Sequence, residues 1–194
     1  YRLARKRLGI PLNAKVILWN DRIPPEKDIK TFLAAAQQVL KEVKEAYIYI
    51  KGRAVVKSYY REVKPLLQPL LKSRRVKLHI GWIPHSKLPL LYRAADVFVR
   101  TSLYENFGLG YIEAMSCGTP VVASGIPTAR EVVGEAGLFY EPRDPDQLAE
   151  KVVQALTDRD LRGKLALSGV KRVKNTFTSE IMAERYLQLY ASLK

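Results

Sequence analysis

Ser102–Ser124, SLYENFGLGYIEAMSCGTPVVAS, is the stretch whose reading decides the fold. It follows an apolar run at Val97–Val99, passes through a glycine-bearing segment, reads as a helix over Gly110–Ser116, and closes on the β-branched run Val121–Ala123. A strand, a loop, a helix and a second strand are thus packed into fewer than thirty residues. Glu105 and Glu113 stand eight positions apart around the mouth of that helix, and eight helical positions rise about 12 Å. The amides of Asn106, Phe107, Gly108 and Leu109 fall at the helix's positive end, where unpaired N–H groups and the helix dipole favour an anion such as a phosphate. Most glutamates are solvated surface charges, so neither carboxylate alone carries a site. The whole run does.

Working outward, the same alternation recurs. Val16–Trp19 reads as a short buried strand, and Ile29, Phe32, Leu33, Ala36, Val39, Leu40 and Val43 then recur at helical spacing before a second strand at Tyr47–Ile50. A basic helical stretch interrupted by Pro65 and Pro69 leads to a strand at Val76–Ile80, and a helix over Lys87–Ala95 leads to Val97–Val99. After Leu138 and Phe139 the pattern is helical to the end of the chain. This order predicts an α/β fold, a Rossmann-like parallel sheet with helices on both faces and C-terminal helices. On such a sheet ligands bind beyond the carboxyl ends of the strands. The segments 20–28, 51–55, 81–86, 100–109 and 124–128 all follow such ends and are expected to share one cleft.

The chain has 194 residues, 47% of them hydrophobic, enough for one domain with a real core. VILW and YIYI are far shorter than the stretch of about 20 residues that spans a bilayer, so the expectation is a soluble cytoplasmic protein. A single cysteine, Cys117, leaves no disulfide framework, and His79 and His85 are isolated, so no metal cluster is expected. The formal charge is +14, and residues 51–77 hold nine basic groups against Glu62, a net of +8. Such an excess attracts phosphates, nucleic acids or an anionic membrane surface, to which the protein could bind peripherally. Lys57, Arg61 and Lys64 also fit the solvated face of an amphipathic helix.

The chain resembles the nucleotide-sugar glycosyltransferases of family 4, over ILWNDRIPPEKD, LYRAADVFV, the Ser102–Ser124 run and REVVGEAGLFYEPRDPDQLAE. The resemblance implies the GT-B architecture, with residues 1–194 as its C-terminal, nucleotide-sugar-binding domain and the N-terminal acceptor domain as an absent partner. It implies retention of anomeric configuration, no metal and no cofactor beyond the sugar nucleotide itself, and inactivity without the N-terminal domain. It also assigns roles: Glu113 on the ribose, Glu105 on the transferred sugar, Arg22 and Lys27 on the diphosphate, the 106–109 amides on sugar and phosphate, and Ile83 beside the base. Similar enzymes carry glycine where Asp21 and Asp28 stand here, so these two carboxylates are expected to oppose a phosphate held by Arg22 and Lys27. Arg130 and Glu131 read as structural. Two rivals remain: a nucleotide-sugar epimerase of related architecture, which the spacing of Glu105 and Glu113 disfavours, and a basic nucleic-acid-binding module, which lacks a reader motif.

Overall fold

In the computed structural model, which describes residues 1–193, six strands form one all-parallel sheet. They are β1 (Lys15–Arg22), β2 (Ala46–Arg53), β3 (Val76–Ile80), β4 (Val97–Arg100), β5 (Val121–Ser124) and β6 (Gly137–Tyr140), in the spatial order β3-β2-β1-β4-β5-β6. The helices are α1 (Arg2–Leu8), α2 (Ile29–Glu42), α3 (Lys57–Leu71), α4 (Leu88–Ala94), α5 (Leu109–Ser116), α6 (Pro127–Val133), α7 (Pro145–Thr157), α8 (Arg159–Thr176) and α9 (Ser179–Ser192). The Rossmann-like α/β fold expected from the sequence is therefore present.

The strands read as continuous apolar runs because both faces of the sheet are covered. Ile17, Trp19, Ile48, Ile50, Val97, Val99 and Val122 pack with the apolar sides of α2, α3 and α7. Val16, Leu18, Tyr47, Tyr49, Phe98, Val121 and Ala123 pack with α1, α4, α5 and α6. Outside this second layer α8 lies on α5, with Gly169 so close to Met115 that a Cβ would come within 3.1 Å of it.

Sequence periodicity missed three elements. α1 and α6 are seven-residue helices, too short to show a repeating stripe, and β6 is a four-residue strand just ahead of the helical tail. Pro65 and Pro69 do not interrupt α3, which runs unbroken from Lys57 to Leu71. Both prolines lie on the solvent side, opposite the buried Tyr59, Val63, Leu67 and Leu70, so the carbonyls they leave unpaired can be hydrated. The outward side of α3 also carries Lys57, Arg61, Lys64 and Lys72, all exposed, while Glu62 pairs with Lys30 of α2 at 2.8 Å.

At the amino end of the sheet, Arg5 of α1 is fully buried. Its guanidinium bonds the carbonyls of Ala94 (3.0 Å) and Leu12 (3.1 Å) and the carboxylate of Asp96 (2.6 Å), which also accepts from the Val16 amide. α9 buries none of its residues, and Met182, Tyr186 and Leu189 face an apolar groove of about 620 Å³ with Phe107, Leu109 and Phe177. Among the described residues no helix is long and apolar enough to cross a membrane.

Candidate functional site

The strand order reverses between β1 and β4, which are neighbours in the sheet but separated in sequence by β2 and β3. The two loops leaving such a switch point diverge and open a crevice at the carboxyl edge. Here those loops are stitched together by Leu103 N–H on Glu26 C=O (2.8 Å), by Thr101 Oγ1 donating to Lys27 C=O (2.7 Å), and by Trp19 Nε1 donating to Thr101 Oγ1 (3.1 Å). The five segments expected to share one cleft all leave the carboxyl edge, since each follows a strand of one parallel sheet, while the 81–86 and 100–109 segments line different cavities.

Between the loops lies a network of four charges. Glu105 Oε1 accepts from Lys27 Nζ (2.6 Å), Arg100 Nε (2.7 Å) and Ser102 Oγ (2.7 Å), and Arg100 Nη2 lies 2.5 Å from it. Asp21 Oδ2 is 3.0 Å from Arg100 Nη2 and 3.9 Å from Lys27 Nζ. Burial pushes the Asp21 carboxyl up, with Arg100 and Lys27 acting against it. Burial also opposes ionisation of Glu105, but Arg100 and the bonds from Lys27 and Ser102 outweigh it and hold this carboxyl below its ordinary value. Arg100 is kept charged by Asp21 and Glu105 against its own burial.

Local sequence makes room for this network. Gly110 lets the Arg100 guanidinium lie against the first turn of α5, where a Cβ would come within 2.3 Å of Arg100 Nη1, and the Tyr111 ring covers the guanidinium at 5.2 Å. Gly108 precedes the helix at φ +83°, a conformation side chains rarely adopt. α5 therefore starts at Leu109, and Glu105 sits in the preceding loop. Only the four steps from Leu109 to Glu113 are helical, about 6 Å of rise, so the roughly 12 Å expected for eight helical positions does not apply between Glu105 and Glu113.

Glu113 lies on the same edge, in a second chain of bonds. Asn20 Nδ2 donates to Tyr92 Oη (3.0 Å), Tyr92 Oη donates to Glu113 Oε2 (2.8 Å), and Glu113 Oε1 meets His85 Nε2 at 3.1 Å. Burial, then the neighbouring Glu113, push the Tyr92 hydroxyl far up, so it remains a proton donor. Ile83 is in the loop just before His85 and helps line a cavity of about 490 Å³ with Tyr49, His79, Trp82, Pro84 and Leu91.

The site residues expected from the sequence thus fall into separate groups. Lys27 and Glu105 are in direct contact. Arg22 is exposed at the end of β1 and joins no ion pair among the described residues. Asn106 accepts a bond from the Tyr104 hydroxyl (2.7 Å), and the Phe107 ring packs edge-on to Phe177 at 5.8 Å. Asp28 has a structural role of its own. It caps α2, accepting from Thr31 Oγ1 (2.7 Å) and Thr31 N–H (3.4 Å), and its φ of +42° explains a position where glycine is at home. Asp21 instead neutralises Arg100. Arg100, Ser102, Tyr92 and Asn20 were not singled out from the sequence. The available signal was a lone arginine ending the apolar strand Val97–Val99, at the switch point. Arg130 bonds the Gly125 carbonyl at 2.9 Å, and Cys117, half-buried at the end of α5, has its thiol pushed up by burial. Among the described residues no three His, Cys, Asp or Glu side chains gather as a metal site.

Comparison with known proteins gives this edge its context. Residues 2–172 match the family described as glycosyl transferases group 1. The chain is 36% identical over 161 residues to an O-antigen chain mannosyltransferase B of Escherichia coli, covering 81% of this chain and 41% of that protein. Its structure is similar to sucrose-phosphate synthase from Thermosynechococcus elongatus, with a TM-score of 0.87 and 33% identity over all of this chain and 49% of that one. It is also similar in fold to Anabaena Alr3699/HepE, solved in complex with UDP-glucose, with a TM-score of 0.84 and 24% identity over 97% of this chain and 51% of that one. The chain spans about half the length of the curated relatives it matches. With a family match over residues 2–172, the chain belongs to the glycosyl transferases group 1 family.

Proposed function

We propose that this chain is the donor-binding, C-terminal half of a retaining, GT-B glycosyltransferase of family 4, holding a nucleoside-diphosphate sugar for transfer to an acceptor bound mainly by an N-terminal half. The observation that carries this reading is the placement of the Lys27–Glu105–Arg100–Asp21 network and the Tyr92–Glu113–His85 chain on one sheet edge, on either side of the mouth of α5. A UDP-glucose complex in a protein of the same fold supports a sugar nucleotide as the ligand.

In this arrangement each group has a chemical task. Glu105, kept ionised and fixed through Oε1 by three donors, has Oε2 left to accept from hydroxyls of the transferred sugar. Lys27 and Arg22 flank the diphosphate, whose charge grows as the glycosidic bond breaks, so fixed cations favour the transition state over the ground state. The amides from Asn106 to Leu109 add the positive end of α5. Glu113, oriented by Tyr92, accepts from the ribose hydroxyls.

The test is a calorimetric titration of the folded domain with uridine, guanosine and adenosine diphosphates and their sugars. Binding of at least one is expected, and Glu113→Gln should weaken it by about 1.5 to 3 kcal/mol while leaving a 2′,3′-dideoxy analogue nearly unaffected. Silence across the panel, or equal weakening of both ligands, would refute the assignment.

A further inference from the structure

The network around Glu105 is electrically balanced, because Lys27 and Arg100 face Asp21 and Glu105. A diphosphate arriving there meets cations whose fields are already largely cancelled. The adjacent strand holds cations that are not. Lys51 of β2 is in register with Asn20 of β1, and Arg53 is in register with Arg22. By the two-residue alternation of a strand, Lys51 and Arg53 project to the face of Tyr47 and Tyr49, the face of Asn20, Tyr92 and Glu113. Neither Lys51 nor Arg53 makes an ion pair among the described residues.

The end of β2 is held firmly. The Ile23 amide donates to the Arg53 carbonyl at 2.8 Å, and Gly52 leaves room for the Ile23 side chain to cross it, since a Cβ would come within 2.6 Å of Ile23 Cδ1. Lys51 is therefore presented from a firmly held strand end, half-buried and out of contact with any carboxylate, with Asp21 and Glu113 favouring its charge from a distance and Arg53 opposing it. Burial lowers the pKa of its ammonium, so the fold holds this cation at a cost that a bound anion would offset. The space between Glu105 and Glu113 is where a diphosphate linking a sugar to a ribose would lie.

We propose that Lys51 is a diphosphate-binding residue of this site, with Arg53 and Arg22 as exposed cations along the same edge. This rests on the donor-site reading given above and adds to it a cation that makes no ion pair among the described residues. Lys51 would donate to the phosphate oxygens alongside Lys27, whose charge Glu105 partly cancels.

Calorimetry with uridine and guanosine, each as free nucleoside and as diphosphate, separates the possibilities. For whichever diphosphate the native protein binds, Lys51→Met should weaken affinity about tenfold or more, leave the matching nucleoside within about twofold, and make the affinity less sensitive to added salt. Lys51→Arg should restore most of the loss. Lys51→Gln provides the same comparison if the methionine variant unfolds at a lower temperature. An unchanged diphosphate affinity in the Met and Gln variants, or equal losses for nucleoside and diphosphate, would overturn the inference while leaving the donor site standing. A native protein that binds neither diphosphate nor sugar nucleotide would overturn both.

Discussion

Replacing Arg100 tests the network most directly. Arg100→Met keeps an unbranched apolar stem against Tyr111 and removes the guanidinium that Asp21 and Glu105 share, with their side chains 11% and 8% exposed. Both carboxylates then keep Lys27 as their one paired cation among the described residues, at 3.9 Å and 2.6 Å. Removing one partner from a buried ion pair costs about 3 to 5 kcal/mol, much of it the penalty of stranding the opposite charge. In a chain of this length each kcal/mol lowers the melting temperature by roughly 2 to 4 °C, which gives a fall of about 6 to 20 °C by calorimetry or circular dichroism. Adding Asp21→Asn removes a stranded charge, and the double variant should recover about 1 to 2 kcal/mol relative to the sum of the single changes. A fall under about 3 °C, or strict additivity of the two substitutions, would show that the four groups do not act as one buried unit.

Two further outcomes follow from individual carboxylates. Asp28→Ala should cost about 2 kcal/mol in urea denaturation, losing the α2 cap and placing alanine at φ +42°, whereas Asp28→Gly should cost under about 1 kcal/mol and leave diphosphate affinity unchanged; equal costs would refute the capping account. Glu105 has its folded-state pKa depressed below 4.5, so its stabilising contribution is fully present above that value and is lost as pH falls through the folded value. Asp21, with its pKa raised, acts in the opposite sense. Urea midpoints followed between about pH 3 and 6 should therefore decline less steeply in Glu105→Gln than in the native protein, and parallel declines would contradict this assignment.

The layering of the fold was legible because β1, β2, β4 and β5 are buried on both faces and so spell out apolar runs, while α2 and α7 carry long apolar stripes. Short elements carried no such signal. α6 and β6 together hold eleven residues, fewer than a periodic pattern needs. At the site, Glu105, Lys27 and Glu113 were marked by spacing and resemblance, and the structure places all three at the carboxyl edge. The partners that define their states were not, because Arg100 meets Asp21 across 79 positions of sequence and Tyr92 meets Glu113 across 21. Asp28 shows the converse. A residue that looked anomalous beside a cation is an ordinary helix cap once the backbone angle and Thr31 are seen.

The buried contact between Arg5 and Asp96 joins residues 91 apart, so it cannot close until β1 and β4 lie side by side with α2, β2, α3 and β3 accounted for between them. Closing a contact of such separation restricts a long stretch of intervening chain, an entropy cost that is met before the contact rewards it. An interaction made after the rate-limiting step adds little to the speed of folding and slows escape from the folded state. Arg5 is in this sense a latch on the finished domain: its bonds to Leu12, Ala94 and Asp96 hold both sides of the switch point from below, and their strength sets how long the crevice above keeps its shape once formed.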